Sequence, residues 1–319
     1  MVVVRLKGQA CDLRCIFCDF GLSRASRKNL TPGNPAPLHE ALAALRSEAR
    51  RGGKSSPTRT CILTGHEPLA DPILFDVLDE AYKLRFQDIR LNTNGIRLAD
   101  LALARRLARY GVISLDLPIY GSNAKIHDRV TGVPGSFKRL MQALRHVRRC
   151  LGVKIAFLHT VVLKENLSDL PRLCALVTGQ LGVPLQVTLP YNHAPDGSAR
   201  TFLAVCPPLS RLRKVLETIP PGPYLLRGLP PCLCPAHLAW PGDDAAHNLI
   251  GRGPWPPVPR VVRQLASAPS NRFRQARSCR GCEMSAACQG VPEEYLRLPD
   301  AAQLCRRRAV SALGRAARS

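Results

Sequence analysis

Cys11-Asp12-Leu13-Arg14-Cys15-Ile16-Phe17-Cys18 is the stretch on which the reading of this chain turns. It spaces three cysteines as C-x3-C-x2-C shortly after the apolar run Val2-Val3-Val4, which ends at Gly8. Three thiolates so near in sequence can converge on one soft metal centre. A four-iron cluster held by three thiolates keeps one iron free of protein ligands, and that iron is where chemistry can occur. The alternative is a structural zinc site. Zinc more often uses paired C-x2-C units and closes its fourth position, so a triplet with a single x2 gap fits it less well.

The chain has 319 residues, enough for one large domain and a smaller appendage, with 45% apolar residues as in ordinary globular proteins. No run approaches the roughly 18 apolar residues of a membrane span, and the start is too short for a signal-peptide core. A cytoplasmic, reducing location is therefore expected. There the 13 cysteines read as metal ligands and buried thiols rather than disulfides. The net charge of +23, from 46 basic against 23 acidic residues, gives a surface field suited to an anionic partner. A stacking surface for nucleic acid is poorly supported, because aromatics make up only 5%.

Working outward from the cysteines, strand-like and helix-like patterns alternate to about residue 190. Strands are expected at 2–7, 59–63, 88–92, 112–118, 154–163 and 185–189, and helices at 38–51, 72–84, 98–110, 137–150 and 167–181. Such a series implies an α/β fold with a parallel sheet and helical crossovers, whose functional groups collect at the carboxyl ends of the strands. Residues 1–200 form the expected barrel-like domain and 201–319 the expected extension.

The cysteine spacing, with Phe17 before the third cysteine, resembles the signature of the radical S-adenosylmethionine (radical SAM) enzymes. That resemblance implies a partial (β/α)6 barrel. It also implies a catalytic four-iron cluster on Cys11, Cys15 and Cys18 that binds SAM and cleaves it to a 5'-deoxyadenosyl radical. Thr64-Gly65-His66-Glu67-Pro68 is similar to the family's GGEP motif, with His66 in place of a glycine. Gly65 and Glu67 are then expected at the SAM amino group. Asn92-Thr93-Asn94-Gly95 looks like the family's TNG turn, with Asn92 or Thr93 expected at SAM. The strand stretch Val112-Ile113-Ser114-Leu115-Asp116 resembles one whose serine touches SAM, and the segment carrying Lys164 resembles one that approaches the SAM carboxylate. His127-Asp128-Arg129-Val130-Thr131-Gly132 and Gly135-Ser136-Phe137 resemble the family's loop and helix start after that strand, with Ser136 as a helix cap.

From Cys206 onward the alternation stops and proline becomes dense, which calls for another source of order. Cys279, Cys282 and Cys288 form C-x2-C-x5-C-x-G, with Cys232 and Cys234 upstream. This resembles the SPASM and Twitch extensions of radical SAM enzymes, which bind an auxiliary four-iron cluster. Here no cysteine follows until Cys305, so a single auxiliary cluster is implied, on Cys279, Cys282, Cys288 and Cys232, with Cys234 as the competing fourth ligand. A zinc knuckle remains the alternative. Cys61, Cys150 and Cys174 read as buried thiols, and Cys206 and Cys305 are not assigned. The tail from residue 301, with Arg306, Arg307, Arg308, Arg315 and Arg318, reads as a basic terminal helix or a frayed end.

The resemblance implies abstraction of a substrate hydrogen, in maturation of a ribosomally made peptide whose leader would be acidic. A reductant such as flavodoxin or ferredoxin would supply the electron. No separate peptide-recognition domain is expected ahead of the barrel. Small-molecule or cofactor biosynthesis with an anionic substrate is the second reading, and a zinc-containing basic nucleic-acid-binding protein is a third from another class.

Overall fold

The computed structural model describes residues 2–6, 11–18, 35–51, 59–190, 200–234, 273–282, 285, 288, 290–301 and 304. The chain divides into two compact units, Met1–His159 and Thr160–Ser319.

The first unit is built on parallel strands that follow chain order: β1 (Val2–Leu6), β2 (Thr60–Gly65), β3 (Asp88–Asn92), β4 (Ile113–Pro118) and β5 (Val153–Val161), the last two residues of β5 falling in the second unit. Register runs from Val2↔Cys61 to Leu6↔Gly65, from Thr60↔Asp88 to Leu63↔Leu91, and from Ile89↔Ile113 to Asn92↔Asp116. The crossovers carry α1 (Pro35–Arg51), α2 (Leu74–Lys83), α3 (Leu101–Ala108), α4 (Ala124–Thr131) and α5 (Ser136–Arg148).

Alternation along the strands separates two faces. One carries Cys61, Leu63, Ile89, Leu91, Ile113, Leu115 and Leu117, all buried. The buried stripes Leu74-Val77-Leu78-Ala81 of α2 and Leu140-Ala143-Leu144-Val147 of α5 supply the rest of that core. The other face of β3 and β4 holds Asp88, Arg90, Asn92, Ser114 and Asp116. Parallel strands covered on both faces read as continuous apolar runs, so one polar face marks these strands as helix-covered on one side only.

The second unit carries α6 (Leu170–Cys174), which continues as the wider π-turn Ala175–Gln180, then β6 (Leu185–Thr188), α7 (Arg200–Val205), α8 (Leu209–Leu216) and β7 (Tyr224–Arg227). β6 and β7 pair in parallel, from Leu185↔Tyr224 to Thr188↔Arg227. A short antiparallel pair, β8 (Phe273–Arg274) with β9 (Val291–Pro292), follows, and buried Tyr295 packs edge-on to Phe202 with ring centroids 5.3 Å apart. No described helix is long and apolar enough to cross a membrane.

The α/β fold expected from the sequence is present, with three local corrections. Residues 127–132, read as a loop, close the helix α4, because Asn123 caps its start by accepting from the Ile126 N–H and Gly132 ends it at φ +67°. Ser136 is not the cap of α5. That place is taken by Gly135 at φ +78°, and Ser136 enters the helix with its hydroxyl on Asp128. Regular structure also continues past Cys206, through α8 and β7, because Leu209, Leu212 and Leu216 bury a helical stripe that the surrounding prolines had masked. The basic run of Arg306, Arg307, Arg308, Arg315 and Arg318, together with Cys305 and the prolines from 254 to 259, lies outside the described residues.

Candidate active site

β1 points into the loop of Cys11, Cys15 and Cys18, and the first unit holds that loop by four sets of contacts. The Arg14 and Ile16 N–H groups donate to the Thr131 and Val130 carbonyls at the end of α4, at 2.8 and 3.0 Å. A Cβ on Gly132 would stand 2.6 Å from the Arg14 carbonyl oxygen, so glycine there permits the loop to sit against the helix end. Asp12 receives a two-pronged ion pair from Arg97 (2.7 and 3.0 Å), beyond β3. Phe17 packs edge-on to Tyr120, which stacks on His127, next to Phe137. The fourth contact runs from Asn94 Nδ2 to Cys11 Sγ at 3.8 Å.

Asp128 locks the far side of this cradle. Burial opposes its charge, but N–H donors from Phe137 and Gly135 and the Ser136 hydroxyl hold its carboxyl below the usual range. His127 accepts from the Tyr120 N–H through Nδ1, and burial lowers it to about 4, so it is a neutral packing residue.

The three thiols share one loop, and each bears on the charge of its neighbours. Burial raises Cys15, and the neighbouring Cys18 and Cys11 add to the rise. Although Cys11 reaches solvent, the protein packed around it raises its thiol; the Leu13 N–H lowers it, Glu67 raises it and Asn94 lowers it again. Mutual repulsion of soft donors is relieved by a shared cationic centre, so the donor set fits a cluster ligated by three thiolates.

Glu67 follows the carboxyl end of β2 and is almost fully buried, at 2% exposure. Its Oε1 accepts from the Leu69 N–H (2.9 Å) and the Thr93 hydroxyl, and its Oε2 accepts from the Asn94 N–H at 2.7 Å. Burial pushes it up to about 6 against the lowering effect of those three donors. Oε2 keeps a lone pair for one further donor. Thr93 is thus spent on Glu67 and on the Gly95 N–H, which donates to its oxygen. Gly65 is required by packing, since a Cβ there would lie 2.4 Å from the Leu6 carbonyl oxygen of β1.

Ser114 lies elsewhere. It is the second residue of β4 and donates to Asp88 Oδ1 (2.8 Å) at the first residue of β3, near the amino ends of the strands. Two residues on, at the carboxyl half of the same face, Asp116 Oδ1 and its register partner's Asn92 Oδ1 have no hydrogen-bond partner. Burial raises Asp116 to about 7, with Arg90 lowering it and Asp88 raising it. Asp116 was not among the residues expected to act, although alternation within Ser114-Leu115-Asp116 places both polar residues on one face.

In the second unit, Lys164 is exposed and donates from Nζ to the Leu203 carbonyl (3.2 Å). Burial raises Cys288; the Gly290 N–H lowers it, and nearby Cys279 and Cys282 raise it. The Cys282 N–H donates to the Cys279 carbonyl (3.0 Å), and Gln275 Nε2 bridges the Ser285 and Cys288 carbonyls, both at 2.6 Å. Cys232 offers its carbonyl to Arg213, and both Cys232 and Cys234 are partly exposed. Cys206 and Cys174 are buried thiols. No group of three or more His, Cys, Asp or Glu side chains that could hold a single metal ion occurs among the described residues.

Residues 6–177 match the Radical SAM superfamily, more than half of the chain. The chain belongs to the radical SAM superfamily. Membership implies a four-iron cluster and SAM. Among curated relatives, the AdoMet-dependent heme synthase of Methanosarcina barkeri is 28% identical over 51% of this chain and 42% of its own length. The mycofactocin maturase MftC of Mycolicibacterium smegmatis is 24% identical over 56% of this chain and 42% of its own. The chain therefore spans less than half the length of these relatives. Among solved structures, Streptococcus suis SuiB bound to S-adenosylmethionine shares the fold with a TM-score of 0.50 and 18% identity, over 68% of this chain and 45% of that one. Membership in an enzyme superfamily sets aside the zinc-containing nucleic-acid-binding reading.

Proposed function

We propose that this radical SAM enzyme cleaves SAM reductively and abstracts a hydrogen from a peptide substrate, as part of peptide maturation. The observation that carries the first half is the loop of Cys11, Cys15 and Cys18, linked through Asn94 to a buried carboxylate, Glu67, that keeps one acceptor position open. When bound, the cluster and SAM supply the one-electron cleavage that yields a 5'-deoxyadenosyl radical.

The chain's own residues bind, orient and shield. Cys11, Cys15 and Cys18 would hold the cluster, and Glu67 Oε2 would accept from the SAM ammonium; Thr93 and Gly65 act behind it, one holding the carboxylate and the other letting β1 and β2 meet closely. Asn92 and Asp116 present the two free acceptors at the carboxyl end of β3 and β4 to SAM or substrate, a role for which Ser114, already bonded to Asp88, is less well placed. Lys164 of the second unit is assigned no SAM contact.

The peptide half rests on the +23 charge, which suits an acidic partner, and on similarity to a protein named a maturase. Residues 201–319 form the auxiliary-cluster domain in this proposal, with Cys279, Cys282 and Cys288 as ligands and Cys232 as the fourth. A reducing cytoplasm, with a flavodoxin or ferredoxin as electron donor, fits cysteines kept as free thiols for cluster ligation. A second reading, small-molecule biosynthesis, is supported by similarity to a protein named a heme synthase.

The test is 5'-deoxyadenosine release by anaerobically reconstituted, reduced protein with SAM, with and without acidic peptides encoded near its gene. Release stimulated several-fold by one such peptide, with a mass change in it, is the expected result. Stimulation by a small anionic metabolite and by no peptide would favour the second reading.

A further inference from the structure

We infer that Asn94 is a positioning residue that sets the reduction potential of the cluster on Cys11, Cys15 and Cys18, by donating a hydrogen bond from its side-chain amide to the Cys11 sulfur. The inference rests on the assignment of that cluster to the three thiols.

The geometry begins with the orientation of the amide. Asn94 Oδ1 accepts from the Ile96 N–H at 3.0 Å, which only an oxygen can do. The other end of the amide is therefore Nδ2, and it faces Cys11 Sγ at 3.8 Å, a normal reach for a sulfur acceptor. The orientation follows from the network and leaves no choice of flip. The backbone of the same residue is held as well, because its N–H donates to Glu67 Oε2 at 2.7 Å. Asn94 is buried, at 9% exposure, so water competes little for its donor. One residue thus joins the carboxylate beside the SAM position to the sulfur that would carry an iron.

The consequence for the metal follows from charge. A reduced cluster is more negative than an oxidised one, and hydrogen bonds to its sulfurs stabilise the added electron, so they raise the potential. Arg97 lies near Cys11 but is paired with Asp12, so its charge is largely offset there. A radical SAM enzyme needs its cluster reduced before SAM can be cleaved, so a donor at this sulfur widens the range of reductants that suffice. The two hydrogen bonds of the Asn94 side chain make different claims. The one to Ile96 shapes the turn, and the one to Cys11 tunes the metal.

Two substitutions separate those claims. Asn94→Asp keeps an oxygen for the Ile96 N–H and replaces the donor by a negative charge. Asn94→Ser keeps a short acceptor that can cap the turn but cannot reach Cys11. To leave one cluster to observe, both are made in full-length protein also carrying Cys279→Ala, Cys282→Ala and Cys288→Ala. Iron and sulfide are measured first, then the reduced-cluster signal is titrated by electron paramagnetic resonance at set potentials without SAM. Iron content should stay at the parent level. At a fixed potential the reduced-to-oxidised ratio should fall by about tenfold in Asn94→Ser, equivalent to about 59 mV for one electron, and by more in Asn94→Asp. Unchanged potentials in both variants would overturn the inference. So would loss of the cluster from both, because tuning leaves ligation intact. A parent protein that takes up no iron would fail the cluster assignment itself, a result distinguishable from either.

Discussion

Glu67 has two duties that pull in opposite directions. It ties β2 to the turn after β3 through two donors, Thr93 and Asn94, and it is the carboxylate proposed to meet the SAM ammonium. Because burial raises it to about 6, a growing fraction is protonated as pH falls through that value, and a protonated Glu67 is a poor partner for a cation. SAM affinity should therefore weaken from pH 7.5 to pH 5.5, measured by equilibrium binding to the cluster-loaded protein. Glu67→Gln should bind SAM on the order of tenfold more weakly at pH 7.5 and lose most of that pH dependence, with iron unchanged. Equal affinity in the variant would contradict the assigned role. Asp116 gives a separate test of sign. Its folded pKa, raised from 3.8 to about 7, makes its contribution to stability greatest below about pH 4 and lost as pH rises through 7. Asp116→Asn should accordingly raise the midpoint of thermal unfolding at pH 8 and leave it unchanged near pH 4. A lowered midpoint at pH 8 would mean that its attraction to Arg90 outweighs burial.

At the scale of elements, the cysteine loop is held by the end of α4. Gly132 is the critical residue, with positive φ and the Arg14 carbonyl where a Cβ would go. Gly132→Ala should displace the loop and reduce iron retention at the first site after reconstitution, whereas Gly135→Ala, also at positive φ but with nothing near its Cβ, should cost strain without that loss. Similar iron loss in both would show that turn strain, not loop contact, is responsible. These contacts also show why some of the site was legible in the sequence and some was not. The cysteine spacing, the Gly-x-Glu-Pro turn and the strand order are local or periodic patterns, and the structure contains the corresponding elements. Asn94, Arg97 and Thr131 act on residues more than eighty positions away, so no pattern within the motifs could assign them. The helix α4 was hidden because its short apolar stripe, Ile126 and Val130, lies between polar residues. The strand β7 was hidden by the prolines on both sides of it.

At the scale of the whole molecule, two thiol triplets lie in two separate units. If the second triplet holds the proposed auxiliary cluster, removing Cys279, Cys282 and Cys288 together should lower total iron by about half and sensitise the second unit to proteolysis, because binding free energy there would act as folding free energy. Cys232→Ala should reproduce part of this effect and Cys234→Ala none; the opposite result would move the fourth ligand by two residues. The central claim is that the first triplet holds the cluster that cleaves SAM. Its most direct test compares 5'-deoxyadenosine release from anaerobically reconstituted, dithionite-reduced wild-type protein with that from the variant carrying Cys11→Ala, Cys15→Ala and Cys18→Ala. Wild type should release 5'-deoxyadenosine, and the variant should keep about half the iron and release none. Release by the variant, or none from iron-replete wild type, would contradict the account.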